Sequence, residues 1–397
     1  MDAPQSVLSP RAALRGFYFV FLASLGVYLP YFPAWLRARG FSGLEMSLII
    51  ALTPAMTIIA PPCIGVIADL FSLRGTLLRW LSIASWIAFS ALALHSMQAD
   101  YTTFPFVFGS VLCFALFRSP IGMLADVITL EEGSSYGRTR LWGSLGFLVT
   151  ALIAGRLLPS PGSYWVPLST WLLLTFTVLA SFVVPAKGTL PPSPAADDAK
   201  WLIRGRPFQF LLLSAFFTQA SHSAYDLCCG LLFQDLGGGS FFVGVAWGIA
   251  VAAEIAMLFY SPVLLSHSSA LKLRGLAFAG TVVRWLLMAT VKSLPVLLVL
   301  QTLHGISFAL MWASSIALVK ELSSARTLGT AQGLFVASAA GGSVVGMLIW
   351  GPLYRASGGT LVFVCAALAA AIALLINTFT PVSNLGHSTP SRNGPLS

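Results

Sequence analysis

Long apolar runs separated by short polar punctuation dominate the chain. Twelve such runs fall at about 16–36, 46–68, 77–97, 104–129, 141–159, 164–185, 208–233, 241–265, 275–291, 294–318, 328–353 and 359–380. At a rise of 1.5 Å per residue, runs of about 20 residues match the hydrocarbon thickness of a bilayer. Pro and Gly recur inside them, as membrane helices tolerate. The one long polar interruption, 186–207, reads AKGTLPPSPAADDAKWLIRGRP and divides the runs six and six. The pattern predicts an all-α polytopic membrane protein of twelve transmembrane helices in two pseudo-symmetric six-helix bundles. The expected units are an N-terminal bundle over 1–185, a central loop over 186–207, a C-terminal bundle over 208–380 and a tail over 381–397.

Composition sharpens this reading by exclusion. Of 397 residues 57% are hydrophobic and only 9% charged, against about 25% charged in a soluble globular protein. A water-soluble enzyme of this size cannot be surfaced with so few charges. The net charge of +9 does not indicate nucleic acid, because the basic residues sit singly or in pairs between apolar runs. It indicates topology instead. With the N-terminus inside, fifteen Lys or Arg residues from Arg11 to Arg392 fall on the cytoplasmic side, against five outside: Arg37, Arg39, Arg156, Lys292 and Arg355. The expected location is therefore the cytoplasmic (inner) membrane, multi-pass, with both termini and the central loop cytoplasmic. The five cysteines lie in apolar segments without metal-ligand spacing and read as small buried residues. No metal or cofactor is implied. The first run is long enough to span and ends at Trp35-Leu36 without a small-residue cleavage site, so no cleavable signal peptide is expected.

An internal echo supports duplication. Pro62 is followed twelve residues on by Arg74 within Leu-Arg-Gly, and Pro262 is followed at the same distance by Arg274 within the same tripeptide. Each lies after the second span of its half. Two related halves imply a solute site between them near the midplane.

Several segments resemble a known family. Gly65-Val-Ile-Ala-Asp69-Leu-Phe-Ser-Leu-Arg74 is similar to the G-x-x-x-D-x-x-x-x-R cytoplasmic gate loop of the major facilitator superfamily. Gly26-Val-Tyr28-Leu-Pro30-Tyr31-Phe32-Pro33 resembles the first helix of lactose permease. Tyr136-Gly137-Arg138-Thr-Arg140-Leu-Trp142-Gly143-Ser144 resembles the start of helix five in phenylpropionate permeases. Ser221-His222-Ser-Ala-Tyr225, Ala253-Glu254, Val283-Arg284-Trp285 and Leu303-His304-Gly305 agree with the same lactose permease and phenylpropionate permease group. The resemblance covers nearly the whole chain. It implies alternating access with proton-coupled symport, and as substrate an aromatic carboxylate or an oligosaccharide.

Ionisable side chains inside the spans are the candidate chemistry, because a charge at mid-depth costs about 2.5–3.5 kcal/mol. Counting from span ends places Arg118, Glu254, Arg284 and His304 near the middle, His222 and Asp226 from there outward, and Asp126 and Arg140 nearer the cytoplasm. Glu254 is the leading proton carrier, with Arg284 as the cation that switches it; the alternative is a static Glu254–Arg284 ion pair. His304 is either a polar relay or a satisfied buried histidine. Where lactose permease has an acid three residues after the matching His, this chain has Ser307, which shifts weight to Glu254. His222 and Asp226 share a helical face. By the resemblance Asp226 is a structural acid balanced by a neighbouring base, with Lys320, Arg284 or His304 as the choices. The resemblance also makes Asp126 and Arg140 substrate-binding, with gate-type pairing as the alternative. Arg118 beside Pro120 is an extra cation suited to a carboxylate, or else a partner of Asp126 or of an acid from the other half. Trp247, on the face of Glu254, and Tyr28, Tyr31, Trp142, Trp285 and Trp312 either stack on a solute ring or pack the core. Gly143, Gly146 and Gly155, with Gly341, Gly342, Gly346 and Gly351, predict close helix contacts.

The expectation is a transporter and not an enzyme, taking a small-molecule substrate and protons as partners, in contact with lipid and not with nucleic acid, and working as a monomer. An exporter or uniporter on the same fold is the first alternative.

Overall fold

The computed structural model describes residues 9–71, 73–98, 102–132, 136–184, 203–323 and 327–381. Among them lie twelve long helices: α1 (Pro10–Ala38), α2 (Gly43–Phe71), α3 (Arg74–Gln98), α4 (Phe104–Glu131), α5 (Tyr136–Leu157), α6 (Trp165–Ser181), α7 (Arg206–Asp235), α8 (Ser240–His267), α9 (Ala270–Thr290), α10 (Leu294–Leu322), and the segment Leu328–Thr378. Gly358 breaks this last segment with φ of +73°, a value that glycine adopts without a Cβ clash. It is therefore two helices, α11 (328–357) and α12 (359–378). Caps fix several starts. Ser9 accepts from the Ala12 amide, Ser269 from the Lys272 amide, and Ser42 and Glu45 form a reciprocal box at the start of α2.

Each predicted span corresponds to a helix. Most helices start earlier than predicted, by up to six residues, because hydropathy reads only the apolar stretch, while α5, α6, α9 and α12 stop one to four residues short of the predicted ends. Eight segments are apolar and long enough to cross a membrane on composition alone, α11 and α12 counting as one. The others are α5 and α7, which carry more polar residues, and α6, which has 17 residues. Large side chains on the outer surface stand clear of the protein, among them Phe259 at 74% and Val299 at 67% exposed. In this fold they face lipid. Cys63 and Cys113 are exposed as well, against the expectation of burial; on a lipid-facing surface an apolar thiol needs no cover.

The two halves repeat each other's packing. In the N-terminal half α1 packs on α5, α2 on α4 and α3 on α6; in the C-terminal half α7 packs on α11, α8 on α10 and α9 on α12. The seams match in detail. A Cβ on Gly146 of α5 would strike the Phe19 carbonyl of α1, and one on Gly342 of α11 would strike the Phe216 carbonyl of α7.

One end of the bundle carries the starts of α1 and α7 and is called proximal here; the other is distal. The apolar core is a single body toward the distal end, where it joins Tyr31, Phe32 and Trp35 to Leu231, Phe233 and Trp350. Toward the proximal end it divides. Leu14, Phe17, Leu78 and Leu124 cluster in one half, while Phe208, Leu318 and Phe335 cluster separately in the other. The halves are thus sealed distally and parted proximally.

Candidate functional site

The distal seal is both apolar and charged. Gly43 and Gly351 bring α2 and α11 into backbone contact, and Gly155 and Gly244 do the same for α5 and α8. Above them Arg37, at the end of α1, donates to Asp235 at 2.7 Å and to Gln234 at 2.8 Å. Tyr354 of α11 donates to the other Asp235 oxygen at 2.6 Å. The innermost inter-half contact in this series is Phe147 of α5 on Trp247 of α8, with ring centroids 5.7 Å apart, and Trp247 also leans on Tyr225 of α7 at 4.9 Å.

Two helical turns proximal to that aromatic contact, each half presents a charge: Arg140 on α5 and Glu254 on α8. They lie within Coulombic reach of each other, and their side chains are 50% and 22% exposed. Both border the parted, proximal side.

Behind Glu254 runs a polar chain into the C-terminal half. Glu254 Oε2 lies 3.6 Å from His304 Nε2. His304 Nδ1 lies 2.8 Å from Arg284 Nη1, so the Arg284 donor fixes Nδ1 as the acceptor. Arg284 is completely buried and also donates to Ser307 Oγ at 3.1 Å and to Gln301 Oε1 at 2.8 Å. Tyr225 and Trp285 rings flank its guanidinium at 4.6 and 4.7 Å, a cation–π environment suited to an arginine without water. The direct Glu254–Arg284 pair anticipated from sequence does not form, because His304 stands between them.

The local fold of α10 makes this possible. The helix tightens into a 3₁₀ turn over Gln301–Leu303 and loosens into a π turn over Gly305–Leu310. A regular α-helix would fan residues 301, 304 and 307 over about 120° at 3.6 residues per turn. The 3₁₀ turn superimposes i and i+3 instead and so aligns Gln301 with His304, while Ser307 reaches the same guanidinium from the π turn. Gly305 brings α10 close to α8, since a Cβ there would lie 2.7 Å from the Ala253 carbonyl. That contact sets His304 beside Glu254.

The other predicted residues are placed as follows. Asp126 accepts from Tyr18 and from Arg140, the latter at 3.3 Å. It does not pair with Arg118, which lies two turns away and points to α1. Arg118 donates to the Phe21 carbonyl at 2.9 Å and to Ser24 Oγ at 3.0 Å, with the Phe21 ring 4.2 Å away. Helix α4 runs unbroken through Pro120, so the carbonyl that Arg118 uses comes from α1 and not from a local break. Among the described residues no acid lies within ion-pair distance of Arg118.

Asp226 makes no direct ion pair among the described residues, but Arg284, one of the bases expected to balance it, lies within Coulombic reach. It reaches from α7 to the neighbouring half, where Tyr28, Phe32, Pro33 and Ile50 surround it. Lys320 cannot balance it, being exposed at the proximal end of α10 while Asp226 lies twenty residues, about 30 Å, up α7. His222 is buried, its Nδ1 on the Thr218 carbonyl at 2.9 Å and its ring against Trp285 and Phe308. It sits inside the C-terminal half and no hydrogen bond joins it to Asp226. Tyr28 packs among Phe32, Phe89 and Phe114. Of the gate loop, Gly65 lies on α2, Arg74 is buried, and the Asp69 side chain falls outside the described residues.

Sequence reasoning missed Gln301, Tyr18 and the Arg37–Asp235–Tyr354 cluster. Gln301 sits three residues before His304, a helical neighbour whose amide stands out in an apolar run. The rim cluster had no local signal.

Comparison with known proteins agrees with this architecture. Residues 12–365 match the MFS_1 like family. Among curated relatives, the maltose permease of Geobacillus stearothermophilus is 28% identical over 328 residues, 81% of this chain and 82% of the relative. The probable 3-phenylpropionic acid transporter of Escherichia coli (strain K12) is 26% identical over 368 residues, 89% and 93% respectively. Among solved structures, a point mutant of the nucleoside transporter NupG superimposes with a TM-score of 0.82 at 16% identity, covering 93% of this chain and 99% of that one. A bacterial homologue of Spinster, in an inward-facing and unoccupied conformation, gives 0.73 at 12% identity over 96% and 98%. The chain therefore belongs to the MFS_1 like family: it is a multi-pass membrane transporter of the major facilitator superfamily and not an enzyme.

Proposed function

We propose that the protein is a proton-coupled symporter of a small organic anion, with an aromatic carboxylate of the phenylpropionate type as the favoured class. It works as a monomer in the cytoplasmic membrane with both termini cytoplasmic. On that orientation the distal seal faces outward and the parted side faces the cytoplasm, so the conformation described is inward-facing.

The charge balance around the midplane carries this reading. Arg118 and Arg284 are buried cations, Asp226 and Glu254 are the acids in the same zone, and Asp126 and Arg140 pair with each other. With both acids ionised the sum is zero. A carboxylate entering alone leaves one uncompensated negative charge, and a proton entering alone leaves one positive charge. Either state is penalised by several kcal/mol in a low-dielectric interior. Together they restore neutrality. The carrier therefore changes sides with both ligands or with neither, which is what symport requires, since a ligand shifts a conformational equilibrium only through differential affinity.

Glu254 is the proton site because it alone of the two acids borders the parted side and touches a relay. His304 passes its influence to Arg284, which aromatic rings and neutral acceptors hold in place. The relative named as a probable 3-phenylpropionic acid transporter supports the acid over a sugar. The maltose permease supports the alternative of an oligosaccharide. Arg118, held by neutral acceptors alone among the described residues, favours the acid, since a carboxylate brings it an opposite charge and a sugar only hydroxyls.

Glu254→Gln tests the coupling. The variant is expected to lose gradient-driven accumulation of 3-phenylpropionate in energised vesicles while retaining exchange between labelled and unlabelled substrate. Accumulation at the parental level would remove Glu254 as the proton site. Transport insensitive to a protonophore would remove symport altogether.

A further inference from the structure

We propose that the substrate carboxylate docks in the N-terminal half, in a cradle formed by Arg118 of α4, the Tyr28 hydroxyl of α1 and the Thr53 hydroxyl of α2. The proposal rests on the reading of the substrate as an organic acid and goes further by assigning its anchor.

Three polar atoms carry it. Arg118 Nε, Tyr28 Oη and Thr53 Oγ1 are each shielded from solvent; Arg118 Nε has no hydrogen-bond partner, and the two hydroxyls have none beyond their contact with each other. Buried polar groups are almost always satisfied, so a cluster of exceptions calls for a ligand or a water. The three are neighbours. Thr53 lies beside the Tyr28 hydroxyl, and Tyr28 lies within Coulombic reach of Arg118. Ser24, which holds Arg118, is one helical turn from Tyr28 on the same face of α1.

The chemistry matches one ligand class. Arg118 is fixed from one side through Nη2, by the Phe21 carbonyl and Ser24, which leaves the Nε–H free to donate. The Tyr28–Thr53 hydroxyl pair stands nearby, with one O–H left to donate outward. A cation beside a hydroxyl donor, with no acid of its own, presents to a carboxylate the acceptor-hungry surface that anions require. Phe89 and Phe114 line the Tyr28 ring, so the surroundings are apolar and the charge is not screened by water. The Asp126–Arg140 pair, to which the family resemblance points, is a poorer anchor for an anion. Its cation is already engaged, its acid repels a carboxylate, and Arg140 is half exposed.

The test measures binding by purified full-length protein in detergent, by titration calorimetry, with 3-phenylpropionate, its uncharged amide 3-phenylpropanamide and maltose as probes. The parent is expected to bind the acid and not the amide. Tyr28→Phe removes a hydroxyl whose one neighbour is the Thr53 hydroxyl, so a purely structural tyrosine would leave affinity for the acid unchanged. If Tyr28 is an anchor, its loss should weaken acid binding about tenfold, the usual effect of one hydrogen bond to a charged group. Thr53→Val should act in the same direction. Arg118→Gln should abolish binding and Arg118→Lys should recover part of it; since Arg118 also ties α4 to α1, the Tyr28 and Thr53 variants decide if it fails to fold. Parental affinity for the acid in both Tyr28→Phe and Thr53→Val would overturn the cradle while leaving the organic-acid reading intact. A parent that binds maltose and none of the acid would overturn that reading itself.

Discussion

Asp235 joins three helices from both halves, and its removal offers the most direct probe of how the outer side is held shut. Its carboxylate receives Arg37 at 2.7 Å and Tyr354 at 2.6 Å. The two ion-pair side chains are 34% and 46% exposed, so solvent screening limits their attraction to about 0.2–1 kcal/mol. The Tyr354 hydroxyl is better shielded, and a hydrogen bond to a charged acceptor contributes about 1.5–3 kcal/mol. The Tyr354 bond lies within the C-terminal half and steers the carboxylate towards Arg37, so Asp235→Ala, which loses the pair that crosses between the halves, should weaken the distal-closed state by up to about 1 kcal/mol, or roughly fivefold in the ratio of closed to open. Spin labels at Leu44 on α2 and Val296 on α10, both exposed distal positions, report that ratio through their distance distribution, once the accessible Cys63, Cys113 and Cys365 have been replaced. A longer-distance population should grow in Asp235→Ala and, to a lesser extent, in Tyr354→Phe. Distributions identical to the parent in both variants, with the protein folded, would show that the glycine contacts alone keep the outer side closed.

Two further outcomes follow from the polar chain and its helix. Arg284→Lys keeps the charge but not the planar fork that meets His304, Ser307 and Gln301; uptake of 3-phenylpropionate should fall more than tenfold, and parental uptake would mean that charge alone suffices. Gly305→Ala places a methyl against the Ala253 carbonyl and should cost about 1–3 kcal/mol, read as a lower unfolding temperature in detergent. Gly109→Ala, which meets nothing within 4 Å, is the control that should not move.

The helices were legible because twelve apolar runs carry their own length and boundaries. Mid-depth ionisable residues were legible for a related reason: Arg118, Glu254, Arg284 and His304 are too costly in hydrocarbon to be incidental. Their pairing was not. Opposite charges at one depth suggest a direct Glu254–Arg284 pair, whereas α10, through its 3₁₀ and π turns, sets His304 between them, and no residue pattern announces those turns. Gln301 and Tyr18 escaped notice because neutral polar side chains raise no alarm in an apolar run. Arg37 looked like an ordinary flanking charge, since its partner Asp235 lies far along the chain and only the docking of two halves unites them. Arg118 was recognisable as unexpected, but its lack of an acid depends on α1 supplying a carbonyl and a serine hydroxyl, which sequence spacing does not reveal.

The glycine seams at Gly146 and Gly342 leave no slack between α1 and α5 or between α7 and α11. Each such pair is therefore a stiff beam, and the aromatic bearing of Phe147 on Trp247 becomes the fulcrum on which two beams tilt. Arg140 and Glu254 sit about 10 Å down their beams from that pivot. A separation of the rims at Arg37 and Asp235 must reappear at Arg140 and Glu254 with the opposite sign, pressing the cation towards the acid as the outer side opens. Arg140 and Glu254 would thus close on each other as the rim parts, and the leverage itself links the charged pair to the state of the seal.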